Sequence, residues 1–520
     1  MTPLAQTTLS VLDYAVIGIY MLAIALIGLA ASSRPKTAAD YFVANRSMPA
    51  WAVAMTLMAT IIGSGTIVGL PGSTYQKGMI LLLGNLTLPL VLIVVAKFIV
   101  PFYRNVVGMS AYEFIGKRFG LGGKFYASFG FLADRTFDLG VTLVTTAVAV
   151  HVMTGWDLSN VILGIALFTV VYTMVGGMEA VVWTSVAQGA IFIGAAVLIT
   201  LRLVFASEVG APGAVIGAAW EGGRFSLGDF SLDWKSLTDP AITTQWLFIL
   251  AYTINWGRRY VADQHMVQRY LIAKTDQEAS RGALWNALLC VPVWTVFMFI
   301  GACLWGYYQL SGEAGPATAD DVVPHFILSH MPAGIVGLIL AAILAASMSS
   351  ISADLNSIST VATNDYLLHF KPSLGEKARL FSGRFFVALA GAFAAGTAVL
   401  LIPEQGMASI MERAVTIAAI LSGGTLGFFL LGFLTRRATR QGCYIGIAAC
   451  LIFTAWGVLT SGGDSRILDL GFNFSWHPIY FGIGGHFILF TVGYLSSLAF
   501  GGYRPDDVDQ LTFRRKRICA

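Results

Sequence analysis

One constraint repeats along this chain: runs of about 20 apolar residues, the length a helix needs to cross a bilayer. They fall near 11–31, 50–70, 79–103, 125–152, 159–176, 180–204, 242–271, 284–310, 332–364, 380–402, 408–434, 441–460 and 479–501. In hydrocarbon each backbone N–H and C=O must find its partner within the segment, so such runs fold as helices. Only 12% of the 520 residues are charged while 56% are hydrophobic, against about twice that charged share in a soluble protein. The expected fold is an all-α polytopic membrane protein with about 13 transmembrane helices.

The loops test the count. Basic clusters follow the odd-numbered runs: Arg34, Lys36 and Arg46 after the first, Arg104, Lys117, Arg118 and Lys124 after the third, Arg269, Lys274 and Arg281 after the seventh. Lys371, Lys377, Arg379 and Arg384 follow the ninth, Arg436, Arg437 and Arg440 the eleventh, and Arg514–Arg517 the last. Basic loops stay in the cytoplasm, which places the N-terminus outside and the C-terminus inside a plasma membrane, in the bacterial case the inner membrane. The short Gly176–Glu179 turn after the fifth run is silent, and the acidic stretch from about 205 to 241 then lies outside. The first run has no basic residues before it and exceeds a signal peptide in length, so it reads as a retained span.

A net charge of +4 gives no reason to expect nucleic acid, and Cys290, Cys303, Cys443, Cys450 and Cys519 have no metal-like spacing. His325 and His330 stand five apart, poor zinc spacing on a helix. No phosphate loop, HExxH motif or nucleophile elbow is present, so neither catalysis nor ATP-driven pumping is supported.

Two apolar runs are interrupted. Gly63-Ser64-Gly65 sits mid-way through the second, and Asn255-Trp256-Gly257-Arg258-Arg259 inside the seventh. Glycine weakens a helix by about 1 kcal/mol relative to alanine. Interruptions five runs apart are the mark of an inverted five-helix repeat, with a binding site at the breaks. The glycines alone equally fit a close helix–helix contact. In the ninth run Ala346, Ser349 and Ser350 fall at i, i+3 and i+4 on one face. Hydroxyls in hydrocarbon need partners, and two beside a carbonyl offer a hard-oxygen site for a small cation, with simple packing as the alternative.

Four ordered segments carry a family resemblance: Asp40–Pro49 (DYFVANRSMP), Tyr172–Thr184 (YTMVGGMEAVVWT), Asp263–Arg269 (DQHMVQR), and Ser349-Ser350 followed by Leu355-Asn356-Ser357. They resemble the sodium/solute symporter family, with sodium-coupled sugar, sialic acid, proline and monocarboxylate transporters of leucine-transporter fold. The resemblance implies one domain: a leading helix in 1–35, a ten-helix core in 50–434 with broken first and sixth helices, two trailing helices in 441–501 and a cytoplasmic tail in 502–520. It implies a coupling Na+ held by carbonyls of Ala59, Ile62 and Ala346 and hydroxyls of Ser349 and Ser350. Five uncharged oxygens suit a monovalent hard cation. Some members end the VVWT segment with an aspartate that serves a second sodium with hydroxyls such as Ser352. Ser185 stands there in this chain, so one coupled sodium is expected.

Polar residues within spans are candidates for the solute: Gly63 and Thr66 at the first break, Asn85, Arg135, and Asp263 with His265. Asn85 stands where sugar-transporting members carry a carboxylate. Sialic-acid-transporting members use an arginine in the helix of Arg135, which can clamp a carboxylate through two bonds. Its alternative is an internal ion pair with Asp134 and Asp138; Asp354, four residues after Ser350, either restores a charge near the ion site or pairs structurally toward the cytoplasmic end. The function expected is sodium-coupled import of a small polar organic solute, a sugar, sialic acid or other carboxylate, by alternating access in the lipid bilayer. A transporter-like solute sensor and a proton-coupled symporter are the alternatives.

Overall fold

The computed structural model describes residues 9–32, 37–232, 244–316, 318–402, 423–461, 466–476 and 479–513, and among these it is helical, with two isolated β-bridges and no named strand. The principal helices are α1 (Val11–Ser32), α2 (Ala50–Ile61), α3 (Gly65–Lys77), α4 (Leu82–Val106), α5 (Leu121–Thr154) and α6 (Leu158–Val204). There follow α7 (Gln245–Ala262), α8 (Gln264–Leu271), α9 (Asp276–Ser311), α10 (Val322–His330), α11 (Ile335–Phe370) and α12 (Glu376–Leu400). α13 (Thr425–Leu434), α14 (Arg440–Thr460) and α15 (Ile479–Phe500) complete the bundle. Nine of the described helices are long and apolar enough to span a membrane, and the bent pair α2–α3 makes ten. Most of the eleventh run, 408–434, lies outside the described residues.

α6 accounts for part of the gap between ten and the count made from the sequence. At 47 residues it would be about 70 Å long if straight, twice a membrane. It reverses at Gly177, where φ is 59° and ψ −149°. Contacts at its ends establish the reversal. Trp156, just before α6, stacks on Tyr14 at the start of α1, with ring centroids 6.1 Å apart. Arg202, near its other end, donates to the carbonyl of His330 (2.9 Å), and Asp13 accepts from the backbone N–H groups of Gly334 and Gly337 (both 2.7 Å). Both ends of α6 therefore lie on one face of the bundle.

The Gly177 end meets the opposite face, where the Tyr41 hydroxyl donates to the carbonyl of Met174 (3.1 Å). That face gathers the basic loops. There Arg104 bonds the carbonyl of Ala273 (2.9 Å), Lys124 pairs with Asp365 (2.9 Å) and Arg118 donates to the carbonyl of Thr435 (2.8 Å). The alternation of basic loops read from the sequence is thus a physical sorting of charge onto one face.

Small residues bring the helices close. A side chain at Gly301 would lie 2.2 Å from the carbonyl oxygen of Pro71, so α9 and α3 touch backbone to backbone. At Gly177 a Cβ would meet the Tyr41 carbonyl oxygen and ring at 2.7 Å, besides straining a left-handed conformation. Gly177→Ala is expected to cost about 1–3 kcal/mol and to lower the melting temperature in detergent. A Gly164→Ala control on the first arm of α6, where a Cβ meets nothing within 4 Å, is expected to leave it unchanged.

Candidate cation and solute site

α2 stops at Ile61 because the glycine-flanked segment after it leaves the helix: Ile62 is extended (φ −85°, ψ 97°). The chain resumes as α3 after a bend of 66°. A helix that ends inside the bundle strands its last carbonyls, and α11 supplies them with partners. Ser349 Oγ donates to the carbonyl of Ala59 at 2.7 Å and lies 2.9 Å from that of Ala346. Ser350 Oγ lies 3.1 Å from the carbonyl of Thr60 and 3.3 Å from that of Ala346. Gly63 lies beside this contact: a Cβ there would stand 3.5 Å from Ser350 Oγ, an ordinary van der Waals distance.

Of the five cation ligands expected, Ala59, Ala346, Ser349 and Ser350 are directly in contact, and Ile62 is the extended residue at the break. All but Ser350 are fully enclosed. Thr60 joins them through its carbonyl. The site is also pinned sideways: Thr146 Oγ1 on α5, which donates to the carbonyl of Thr142 (2.7 Å), lies 2.9 Å from Ser64 Oγ and 2.7 Å from Ser347 Oγ and can accept from them. Sequence reasoning missed Thr60, Ser64, Thr146 and Ser347. Thr146 in particular carries no local signal, because a lone threonine in an apolar helix ordinarily bonds its own backbone.

Around this constellation Thr66 is buried in the π-bulged first turn of α3, its N–H on the Gly63 carbonyl (3.0 Å). Asn85 is buried and donates to the carbonyl of Leu81 (3.1 Å). Ser352 Oγ donates to the carbonyl of Ser349 (3.1 Å). Ser185 Oγ is fully buried and has no protein hydrogen-bond partner among the described residues.

The second break differs from the sequence expectation. Asn255–Arg259 continues as regular helix, and the chain leaves it at Asp263 (φ −88°, ψ 126°) between α7 and α8. Trp256 instead packs on Trp294, with ring centroids 5.0 Å apart, and the Tyr260 carbonyl accepts from the Tyr270 hydroxyl (3.0 Å). The break at Asp263 is tied into a buried ion-pair network. Arg258 bonds Asp263 (3.2 Å) and approaches Asp134 (3.4 Å). Arg135 pairs with Asp134 (2.6 Å) and Asp138 (2.9 Å), with Asp354 of α11 at 3.9 Å. His265 Nδ1 stands 3.7 Å from Asp354 Oδ1. The structure therefore joins Arg135, Asp263 and His265 to one another, and Arg135 already has carboxylates on its donors. No group of three or more His, Cys, Asp or Glu among the described residues is placed to hold a metal.

A helical membrane bundle with neutral oxygens at one helix break and charges at another has the architecture of a secondary transporter. Residues 41–449 match the sodium:solute symporter family, and the chain belongs to that family. It is 31% identical over 444 residues to the sodium/sialic acid symporter SiaT of Proteus mirabilis (85% of this chain, 88% of the relative). To the sodium/sialic acid symporter NanT of Aliivibrio fischeri it is 28% identical (97% of each). A solved substrate-bound, outward-open structure of a Na+-coupled sialic acid symporter superposes with a TM-score of 0.85 at 28% identity, covering 95% of this chain and 99% of that one. The chain is thus a sodium-coupled symporter of a small organic solute and not an enzyme.

Breaking a buried ion pair by removing one partner costs about 3–5 kcal/mol, most of it the stranded charge. Asp263→Asn alone is expected to destabilise the purified protein, and adding Arg258→Gln to recover much of the loss. Equal and additive losses in a double-mutant cycle on melting temperature would show that the pair is not coupled.

Proposed function

We propose that this chain imports a sialic acid or a closely related carboxylated sugar together with sodium. The observation that carries the reading is the oxygen cluster of Ala59, Thr60, Ala346, Ser349 and Ser350, with Ile62 as the extended residue of the break between α2 and α3. Its oxygens are neutral and, Ser350 apart, buried, and two are hydroxyls whose protons can turn away when a cation arrives. A Na+ there takes over the stranded carbonyls and binds α2 to α11. With Ser185 in place of a carboxylate, one sodium is coupled per cycle.

The solute sits beside that ion, at Gly63, Thr66 and Asn85. The start of α3 presents the positive end of its dipole there, which favours a carboxylate. Arg135, Asp263 and His265 form the floor of the solute chamber, and their ion pairs with Asp134, Arg258 and Asp354 close the path to the basic face. What supports this role is that the donors of Arg135 are engaged by aspartates, leaving its bidentate fork committed. The basic face is cytoplasmic, the N-terminus lies outside and the C-terminus inside, and the chain crosses the plasma membrane 13 times as one domain: a leading helix, a ten-helix inverted-repeat core and two trailing helices.

Import follows from these parts. Sodium fixes the first broken helix to α11 and orders the solute contacts. The ion pairs then part, the basic face opens, and low cytoplasmic sodium draws the ion off. By linkage, sodium tightens solute binding by the same factor as solute tightens sodium binding.

A thermal-shift screen of N-acetylneuraminic acid, neutral hexoses, proline and monocarboxylates, each with sodium or with choline, tests the reading. Only a sialic acid is expected to stabilise, and only in sodium. Stabilisation by a hexose or by proline alone would overturn the solute assignment. Ser350→Ala is expected to fold and to weaken sodium activation of uptake roughly tenfold or more, while an unchanged sodium dependence would show that the ion binds elsewhere.

A further inference from the structure

On the face opposite the basic loops, the segment 318–330, which contains α10, lies over the outer half of the broken helix. Its fit there is close: a Cβ at Gly72 of α3 would lie 2.3 Å from the carbonyl oxygen of Ala319, and Tyr75 of α3 meets Tyr308 of α9 edge to face at 6.2 Å. α10 packs on α3, α5, α9 and α11, so it touches the elements that must move if the outer path is to open. What fastens its end is a chain of hydrogen bonds through His330.

Each ring nitrogen of His330 has a partner. Nε2 lies 3.0 Å from Glu313 Oε2 and Nδ1 lies 3.1 Å from the Tyr307 hydroxyl. Tyr307 in turn stands 3.2 Å from Glu208 Oε1. Glu208 is paired with Arg202, whose Nε also donates to the His330 carbonyl (2.9 Å). Counting protons along this chain fixes its state. An arginine-paired carboxylate only accepts, so the single Tyr307 proton is donated to Glu208. Tyr307 can then only accept from His330, and Nδ1 must carry hydrogen. The carboxylate of Glu313 likewise only accepts, so Nε2 must carry hydrogen as well. Every contact is satisfied when His330 is the imidazolium. With a neutral ring, one of the three contacts becomes lone pair against lone pair.

We propose that His330 is a protonation-dependent latch that holds this outer lid against the spans in acid and releases it as the external pH rises. The inference rests on the reading that this face is external. The other ionisable groups near the ring leave the assignment to His330. Asp320 and Asp321 begin the lid at its far end. His325, on the same helix, is bonded to the Tyr308 hydroxyl (2.7 Å). Burial, with His330 adding to it, pushes His325 below its ordinary value. The hydrogen bond from Arg202 holds the Glu208 carboxyl below its ordinary value, under the range in which a histidine titrates, about pH 5–8. The sign follows: the latch forms with the proton bound, so its stabilisation is present in acid and disappears as the proton leaves.

Hydrogen exchange of the 318–330 segment in the purified, sodium-loaded protein reads the latch without any solute. After correction for intrinsic chemistry, protection is expected to be roughly tenfold greater at about pH 5.5 than at about pH 8, the worth of one charge-assisted bond. His330→Gln and Tyr307→Phe, which keep the packing but break the proton count, are each expected to abolish the difference. Equal protection at the two pH values, or a difference that survives His330→Gln, would overturn the proposal.

Proteoliposomes with the two sides buffered separately add sidedness, with N-acetylneuraminic acid as the probe. Wild-type uptake is expected to rise with external pH and His330→Gln uptake to stay flat. A step that follows the lumenal pH instead, and vanishes in His330→Gln, would support the latch and overturn the assignment of that face as external. Absence of uptake at either pH would count against the solute reading alone, with hydrogen exchange still deciding the latch.

Discussion

A helix that stops in mid-bundle leaves carbonyl oxygens with no water to satisfy them, and the structure depends on how these are answered. At Ile62 the answer comes from the hydroxyls of Ser349 and Ser350, held 2.7 and 3.1 Å from the carbonyls of Ala59 and Thr60. An unpaired buried carbonyl costs about 1–3 kcal/mol, so the break without the serines would be a defect, and the serines without the break would be polar groups with nothing to do but bond their own helix. A hydroxyl is also a partner that a cation can displace without leaving any lone pair idle, because the same oxygen changes from donor to ligand. On the proposed reading the break is therefore satisfied both without the ion and with it, which is what a site that must load and unload requires.

The second break is answered with charge. At Asp263 the freed backbone lies within a network of Arg258, Arg135, Asp134 and Asp354. Buried ion pairs contribute little net stability, since desolvation offsets most of their attraction, but separating them is costly. That asymmetry suits a barrier between two states. A closed network resists partial opening, and once its members reach water each charge is hydrated and the cost falls away. On the proposed reading, neutral oxygens at one break and opposed charges at the other divide the labour between holding an ion and closing a path.

Much of this was legible in the sequence because the bilayer enforces it. The apolar runs and their alternating basic loops follow from the lack of water in hydrocarbon, and Gly63-Ser64-Gly65 and the Ser349-Ser350 pair are local anomalies against that background. The short Gly176–Glu179 turn was visible for the same reason, although the fold renders it as a reversal within α6 at Gly177. The second break was misplaced by several residues. Asn255–Arg259 looks polar enough to interrupt a helix, but Trp256 stacks on Trp294 and Arg258 has Asp263 and Asp134, so tertiary partners carry those residues through the helix. Asp263, a single acid before a helical stretch, gave no local sign that the backbone turns there. Cross-helix pairings such as Thr146 with Ser64 and Ser347, or Arg135 with Asp354, depend on which faces meet, and one-dimensional periodicity does not contain that.

The two breaks meet on α11. Ser350 and Asp354 are four residues apart, about 6 Å along the axis, so the residue that touches the ion site and the residue that touches the gate sit one turn apart on a nearly fully buried helix. A rigid helix cannot shift at one of these positions and stay still at the other. If a cation draws α2 toward Ser350, the same displacement changes the distance from Asp354 to Arg135, which at 3.9 Å is the longest pair in the network and the one most readily lost. No chain of relayed side-chain motions is needed: on the proposed reading, coupling between ion and gate is the stiffness of one turn of helix.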